Sequence, residues 1–287
     1  MLDVIFDTLI DFVKLLPFLF ITYYVMEWIE HNASSASNNL IKKSGKLGPV
    51  IGGVLGVVPQ CGFSAAGSTF YAGRVISLGT LIAIYLSTSD EMLPVMIASK
   101  APAKTIVLIL VLKMIIGIIS GLIIDNLIFP TKNVDKNIDI DELCTSESCG
   151  CKTQHSILKP AVMHTMKTGA FILGISFAIN LIFFLVGEDA LTNVFTSIPV
   201  VENMIAALVG LIPNCAASVA ITTLYVEGLI SFSAMLSGLL SGAGVGVLVL
   251  FRVNHHRDEN IKILLMLYGF AVVMGCLTGF FMTNMLG

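Results

Sequence analysis

The chain has 287 residues, of which 56% are hydrophobic and only 12% charged, with a net charge of -3 and a mean hydropathy of +0.91. A soluble domain carries roughly 25% charged residues, so too little polar surface is left to cover a globule in water. No basic stripe or aromatic platform points to nucleic acid. The apolar residues fall in stretches near the roughly 20 residues that span a bilayer core. The expected fold is therefore all-α and polytopic, with the lipid bilayer as partner.

In chain order, residues 4–29 read as the first membrane helix. Asp3, Asp7 and Asp11 stand where a cleavable signal would be positive. The 30–47 loop carries Lys42, Lys43 and Lys46. Residues 48–73 are apolar but hold Pro59-Gln60-Cys61 near their middle, and proline removes a backbone donor. The stretch 77–99 is a crossing helix containing "STSDEMLP", with Ser87, Thr88, Asp90 and Glu91 near its centre and a break expected at Pro94. The 104–129 helix carries Lys113 mid-span. A polar linker over 130–158 holds Cys144, Cys149, Cys151 and His155. Then come a helix at 161–186, an acidic loop at 187–203 without Lys or Arg, and a second proline segment, 203–226, with Pro213-Asn214-Cys215. Helices at 229–251 and 260–285 flank a loop holding Arg252, His255, His256 and Arg257, with Lys262 at its end; the histidines read as contacts to lipid headgroups.

The chain repeats itself. Shifted by 154 positions, residues 56–91 match 210–245 at 11 of 36 places without a gap, among them Pro59/Pro213, Cys61/Cys215, Ser64/Ser218, Ser77/Ser231 and Ser87/Ser241. A shift of 158 aligns "GIISG" (117–121) with "GCLTG" (275–279). The expected organisation is a first membrane repeat over 1–129, a cytoplasmic linker over 130–158 and a second repeat over 159–287. Cytoplasmic loops favour Lys and Arg. The lysine-bearing 30–47 loop and its acidic counterpart at 187–203 then face opposite sides, and the repeats are inverted. Each repeat would cross by three full helices plus one re-entrant hairpin, about ten membrane segments counting both hairpin arms. The arms are 48–58 and 61–73, turning at Pro59-Gln60, and 203–212 and 215–226, turning at Pro213-Asn214.

Two hairpin tips entering from opposite faces can meet at the midplane, where broken backbone offers carbonyls and helix ends to an ion. Gln60 and Asn214 add amide oxygens, Cys61 and Cys215 add sulfur, and Ser64, Ser218 and Ser241 lie on the adjoining segments. A charge at mid-membrane costs about 2.5–3.5 kcal/mol on the milder scales, which makes Asp90 and Glu91 functional candidates rather than passengers. Lys113 is their expected partner and the candidate coupling group; a structural ion pair of the acids with Lys113 or Arg74 is the plainer alternative. Mixed carboxylate, amide and sulfur donors suit a borderline divalent metal, so the expected metal ligands are Gln60, Cys61, Asp90, Glu91, Asn214 and Cys215. The metal is cargo, and no resident cofactor is expected. No HExxH, GxSxG or nucleophile–base pair suggests an enzyme. Cys276 has no counterpart and reads as packing, while the linker thiols with His155 are a candidate regulatory metal site.

The motifs "GVVPQCGFSAAGSTFYAGR", "STSDEMLPV" and "GAGVGVLVLFRVN" resemble the prokaryotic family of ten-transmembrane heavy-metal exporters, whose members are also labelled arsenic-efflux-like proteins or manganese transporters. The resemblance runs over essentially the whole chain. It implies a multi-pass protein that exports heavy metal, and it supports metal export better than any one metal. The expected function is export of a divalent metal, manganese first, across the cytoplasmic (inner) membrane of a prokaryote, with a homodimer as an expected partner state. Efflux of arsenite or organoarsenicals, with the thiols dominant, is the alternative within transport. A membrane-embedded metal sensor is the alternative outside it.

Overall fold

A computed structural model describes residues 47–57, 61–89, 92–128, 158–186 and 199–286, and helical residues within 8–28; side chains at 61, 160, 179–180, 182–186 and 282–286 are not described. The described residues are mostly helical and contain no strand. The helices are α1 (Gly48–Gly56), α2 (Cys61–Ala72), α3 (Leu78–Ser87), α4 (Met92–Ala98), α5 (Ala103–Ile123), α6 (Leu158–Val186), α7 (Pro199–Gly210), α8 (Cys215–Val226), α9 (Phe232–Ser241), α10 (Gly246–Val253) and α11 (Arg257–Leu286).

Five stretches among the described residues are long and apolar enough to cross a membrane: Leu78–Ala98, Ala103–Ile128, Ala161–Ala178, Phe232–Val253 and Arg257–Phe281. Two of them are not single helices. Leu78–Ala98 is α3 and α4 with Thr88 and Ser89 non-helical between them, and Phe232–Val253 is α9 and α10 interrupted after Ser241. These two are also the innermost, 62% and 89% buried against 22% for Arg257–Phe281. Broken backbone belongs inside the protein, because freed N–H and C=O groups cannot face lipid. Pro94 is not where the first of these breaks. It sits third in α4, where its missing N–H would have had no intrahelical partner anyway.

Contacts recur at positions 154 residues apart. α3 and α9 both begin at a seryl N-cap: Ser77 Oγ accepts from Thr80 N at 3.1 Å, and Ser231 Oγ accepts from Ala234 N at 3.2 Å. Each cap is also held by an acid, though from different helices. A π turn after α5, Ile124–Ile128, swings Asp125 round to accept from Ser77 Oγ (2.5 Å) and Gly79 N (2.9 Å). In the second half Glu202 of α7 accepts from Ser231 N (2.9 Å) and Ser231 Oγ (2.7 Å). A carboxylate there satisfies orphan donors and suits the positive end of the helix dipole.

α2 and α8 end alike. Arg74 N bonds Tyr71 O and Val75 N bonds Phe70 O; 154 residues later Gly228 N bonds Tyr225 O and Leu229 N bonds Leu224 O. Both are Schellman caps requiring a left-handed residue, and both have one, Arg74 at φ 58° and Gly228 at φ 75°. Helix packing repeats too. A Cβ on Gly56 would lie 2.0 Å from Ser87 Oγ, and one on Gly210 would lie 2.3 Å from Ser241 Oγ. Gly121 abuts Gly79 as Gly279 abuts Ser233. Within each half α3 packs on α1 and α5, as α9 packs on α7 and α11; between the halves α2 packs on α10 as α8 packs on α4. The buried core runs from Leu81, Tyr85 and Ile109 to Ala207, Leu236 and Leu267. α6 and the helical residues before 29 add a second layer, joined by Tyr23 Oη with Thr168 Oγ1 (2.7 Å) and by Tyr23 stacked on His164.

Candidate functional site

Where α3 and α9 stop, their last carbonyls lose the donors that a continuing helix would supply. Thr88 turns out of the helix at ψ 131° while its N–H still reaches Ile84 O. In the second half Gly242 turns out at ψ 84°, Ala243 N bonds Ser241 O, and Gly244 sits at φ 52°. With Ala243 N bonded to Ser241 O, Leu239 O is turned over to another donor. That donor is Lys113. Its Nζ donates to Leu239 O at 2.6 Å and to Thr88 O. Lys113 is 1% exposed, so its charge is withdrawn from both water and lipid. Two helix C-termini, one from each half, thus converge on one ammonium. Each end carries a partial negative charge of about half an electron, and each charge-assisted bond contributes roughly 1.5–3 kcal/mol.

A buried cavity of about 10 Å³ opens beside this junction. That is about the room for one water molecule or one bare ion. Its walls include Thr88, Ser89 and Lys113 from the first half and Asn214, Ser218 and the Gly242–Gly244 turn from the second. Asn214 is placed by its own fold role: it is the N-cap of α8, its side chain accepting from Ala216 N at 3.5 Å.

Of the residues singled out from sequence, Thr88, Lys113, Asn214 and Ser218 are brought together here. Ser87 and Ser241 are not on the cavity wall. Their hydroxyls donate to backbone carbonyls, Ser87 to Ala83 O and Ile84 O, Ser241 to Ala207 O and Gly238 O. Ser64 and Cys215 are buried but are not on that wall, and Ser64 instead packs on Gly246. Pro213 forms the turn before α8. Pro59, Gln60, Asp90, Glu91, Cys144, Cys149, Cys151 and His155, and the side chain of Cys61, lie outside the described residues. Among the described residues no three His, Cys, Asp or Glu side chains gather into a metal-holding group. Cys276 receives a hydrogen bond from Asn203 Nδ2 at 3.3 Å.

A second and larger cleft, about 810 Å³, lies between the α2–α3 connection and the start of α11. His255 and His256 are on its wall rather than only at a lipid-facing edge. Its floor is a network that links the halves and was not legible in the sequence. Arg74 donates to Glu259 through both terminal nitrogens (2.9 and 3.1 Å), Tyr71 Oη donates to the same carboxylate at 2.5 Å, and Asn254 Nδ2 does so at 3.3 Å. The bond to Glu259 holds the Arg74 guanidinium above its ordinary pKa. Arg74 therefore spends its charge on Glu259. The one signal for this pairing is that Arg74 occupies a position its repeat partner fills with glycine.

A family model described as "Putative, 10TM heavy-metal exporter" matches the chain over residues 1–186, 128–255 and 170–286, all but the last residue between them. No curated protein and no solved structure matches it.

Proposed function

The chain belongs to this family of multi-pass heavy-metal exporters, and from that premise we propose that it carries a divalent metal, manganese first, out across the cytoplasmic membrane of a prokaryote. Transport would run by alternating access between two inverted halves. The observation that carries this reading is the pair of membrane-length helices broken at repeat-equivalent places and meeting at a small cavity whose wall includes Thr88, Ser89, Asn214 and Ser218. Discontinuous helices of this kind form the substrate and coupling-ion sites of secondary transporters.

Further features support the finer parts. α1 and α2 have 9 and 12 residues, about 14 and 18 Å at 1.5 Å per residue, each short of the ~30 Å core and fit for the arms of a re-entrant hairpin. α7 and α8 are likewise short apolar helices. Asp90 directly follows Ser89 of the cavity wall, and Gln60 is the repeat partner of the wall residue Asn214. We assign Asp90 and Glu91 as the carboxylate ligands, Gln60 and Asn214 as amide ligands, and Cys61 and Cys215 as the sulfur donors near them. The hydroxyl, amide and carbonyl oxygens around the cavity favour a hard or borderline cation over a thiophilic one. We assign the larger cleft, bordered by Arg257 and Lys262, to the cytoplasmic side as the entry vestibule, because cytoplasmic loops favour Lys and Arg.

The test is metal resistance in cells. Asp90→Asn and Glu91→Gln should abolish resistance to the exported metal at unchanged protein level. Full resistance in both variants would overturn the assignment of the site, and loss of resistance in Cys61→Ser and Cys215→Ser alone would favour arsenite efflux instead.

A further inference from the structure

Lys113 is a residue whose side chain is bonded to both breaks. Its stem belongs to α5 in the first half, yet its ammonium is shared between a first-half carbonyl, Thr88 O, and a second-half carbonyl, Leu239 O. The repeat-equivalent position in α11, 158 residues on, is Ala271, which is buried and uncharged. A single lysine therefore serves two helix ends that the repeat would otherwise leave alike. The acceptors are backbone carbonyls at interrupted helices, and carbonyls so placed are the ligands that transporters and channels offer to small monovalent cations in place of hydration water. An ammonium presents the same single charge to the same oxygens. The wall beside it is lined by Ser89, Asn214 and Ser218 and has room for about one small particle.

We propose that Thr88 O and Leu239 O form a monovalent-cation site between the two halves, and that the Lys113 ammonium is its tethered, permanent occupant. The covalent tether keeps the site filled at any external salt composition. It holds the two broken helices together and denies the place to sodium, potassium or ammonium ions from solution. Cutting the side chain back while leaving the carbonyls in place should turn the site over to a free cation.

The site lies at the cavity of the transport reading above, but its test needs no transport measurement. The full chain in detergent or nanodiscs is heated in choline, sodium, potassium or ammonium chloride, and the midpoint for loss of folded protein is read by size-exclusion chromatography. Wild type should show the same midpoint in all four salts. Lys113→Ala, which opens room at the carbonyls, should fall by several degrees in choline and regain at least half of that loss in one of the small-cation salts. Lys113→Met, which fills the room without charge, should fall and regain none. Should Lys113→Ala fail to fold in choline, it should still be recovered from a small-cation salt in which Lys113→Met is not. The site is overturned if Lys113→Ala responds to salt no differently from Lys113→Met, or if wild type shows the dependence expected of Lys113→Ala. A wild type that moves no metal, with the salt pattern intact, removes the transport reading and leaves the cation site standing.

Discussion

Replacing Gly121 by alanine probes the helix packing that carries the first break, at the end of α3. A Cβ at this position of α5 would sit 2.4 Å from Gly79 O in α3 and 2.9 Å from both the Ala83 and Pro49 β-carbons. The nearest of these is backbone, so no rotamer change relieves it and α3 must move away from α5. Overpacking of this kind costs typically 1–3 kcal/mol, against the roughly 0.5–1 kcal/mol that alanine gains over glycine in a helix. The repeat-equivalent Gly279 meets, among the described residues, the Ser233 Cβ and Oγ at 3.0 and 3.1 Å, a milder contact than the one at Gly121 and one that a shift of a few tenths of an ångström relieves. Gly174 meets nothing within 4 Å among the described residues and serves as the reference. The expected order of stability is Gly174→Ala above wild type, Gly279→Ala close to wild type, and Gly121→Ala lowest, about 2 kcal/mol below Gly174→Ala. Unfolding titrations in mixed micelles measure the difference. A Gly121→Ala protein within about 0.5 kcal/mol of Gly174→Ala would refute the close approach of α5 to α3.

Glu259→Gln removes the carboxylate that gathers Arg74, Tyr71 and Asn254. With both partners about one-third exposed, solvent-screened pairing limits the loss to about 1 kcal/mol in the same unfolding assay. Arg74→Gly should cost less than Glu259→Gln, because glycine relieves the roughly 1–2 kcal/mol that a side chain pays in left-handed backbone; equal losses would show that φ 58° carries no strain. Deleting residues 140–155, with Cys144, Cys149, Cys151 and His155, should leave metal efflux intact if the linker only regulates, whereas a sensor would lose its response.

The sequence carried the packing of this fold better than its path. The 154-residue repeat was visible because the residues that let helices touch, Gly56 against Ser87 and Gly210 against Ser241, cannot drift without a clash, so both copies keep them. The breaks were hidden for the opposite reason. Thr88, Ser89 and the Gly242–Gly244 turn lie inside windows whose mean hydropathy is still that of a crossing helix, and hydropathy does not report whether backbone donors are paired. Pro94 drew attention because proline is the loudest breaker in a sequence, yet the first turn of α4 tolerates it. Lys113 was legible as an oddity in lipid. Its partners were not, since carbonyls have no sequence signature and Leu239 stands 126 residues away. Arg74 and Glu259, 185 apart, are joined only by the fold.

The central claim is that a metal passes between the two halves at the cavity where α3 and α9 break. Its most direct measurement is uptake into proteoliposomes of a panel of metals, manganese and arsenite included, with and without a pH gradient, by wild type and by Asp90→Asn. The account predicts uptake of a divalent metal by wild type and none by the variant. Equal uptake by the two proteins, or movement of arsenite but of no divalent metal, would contradict it.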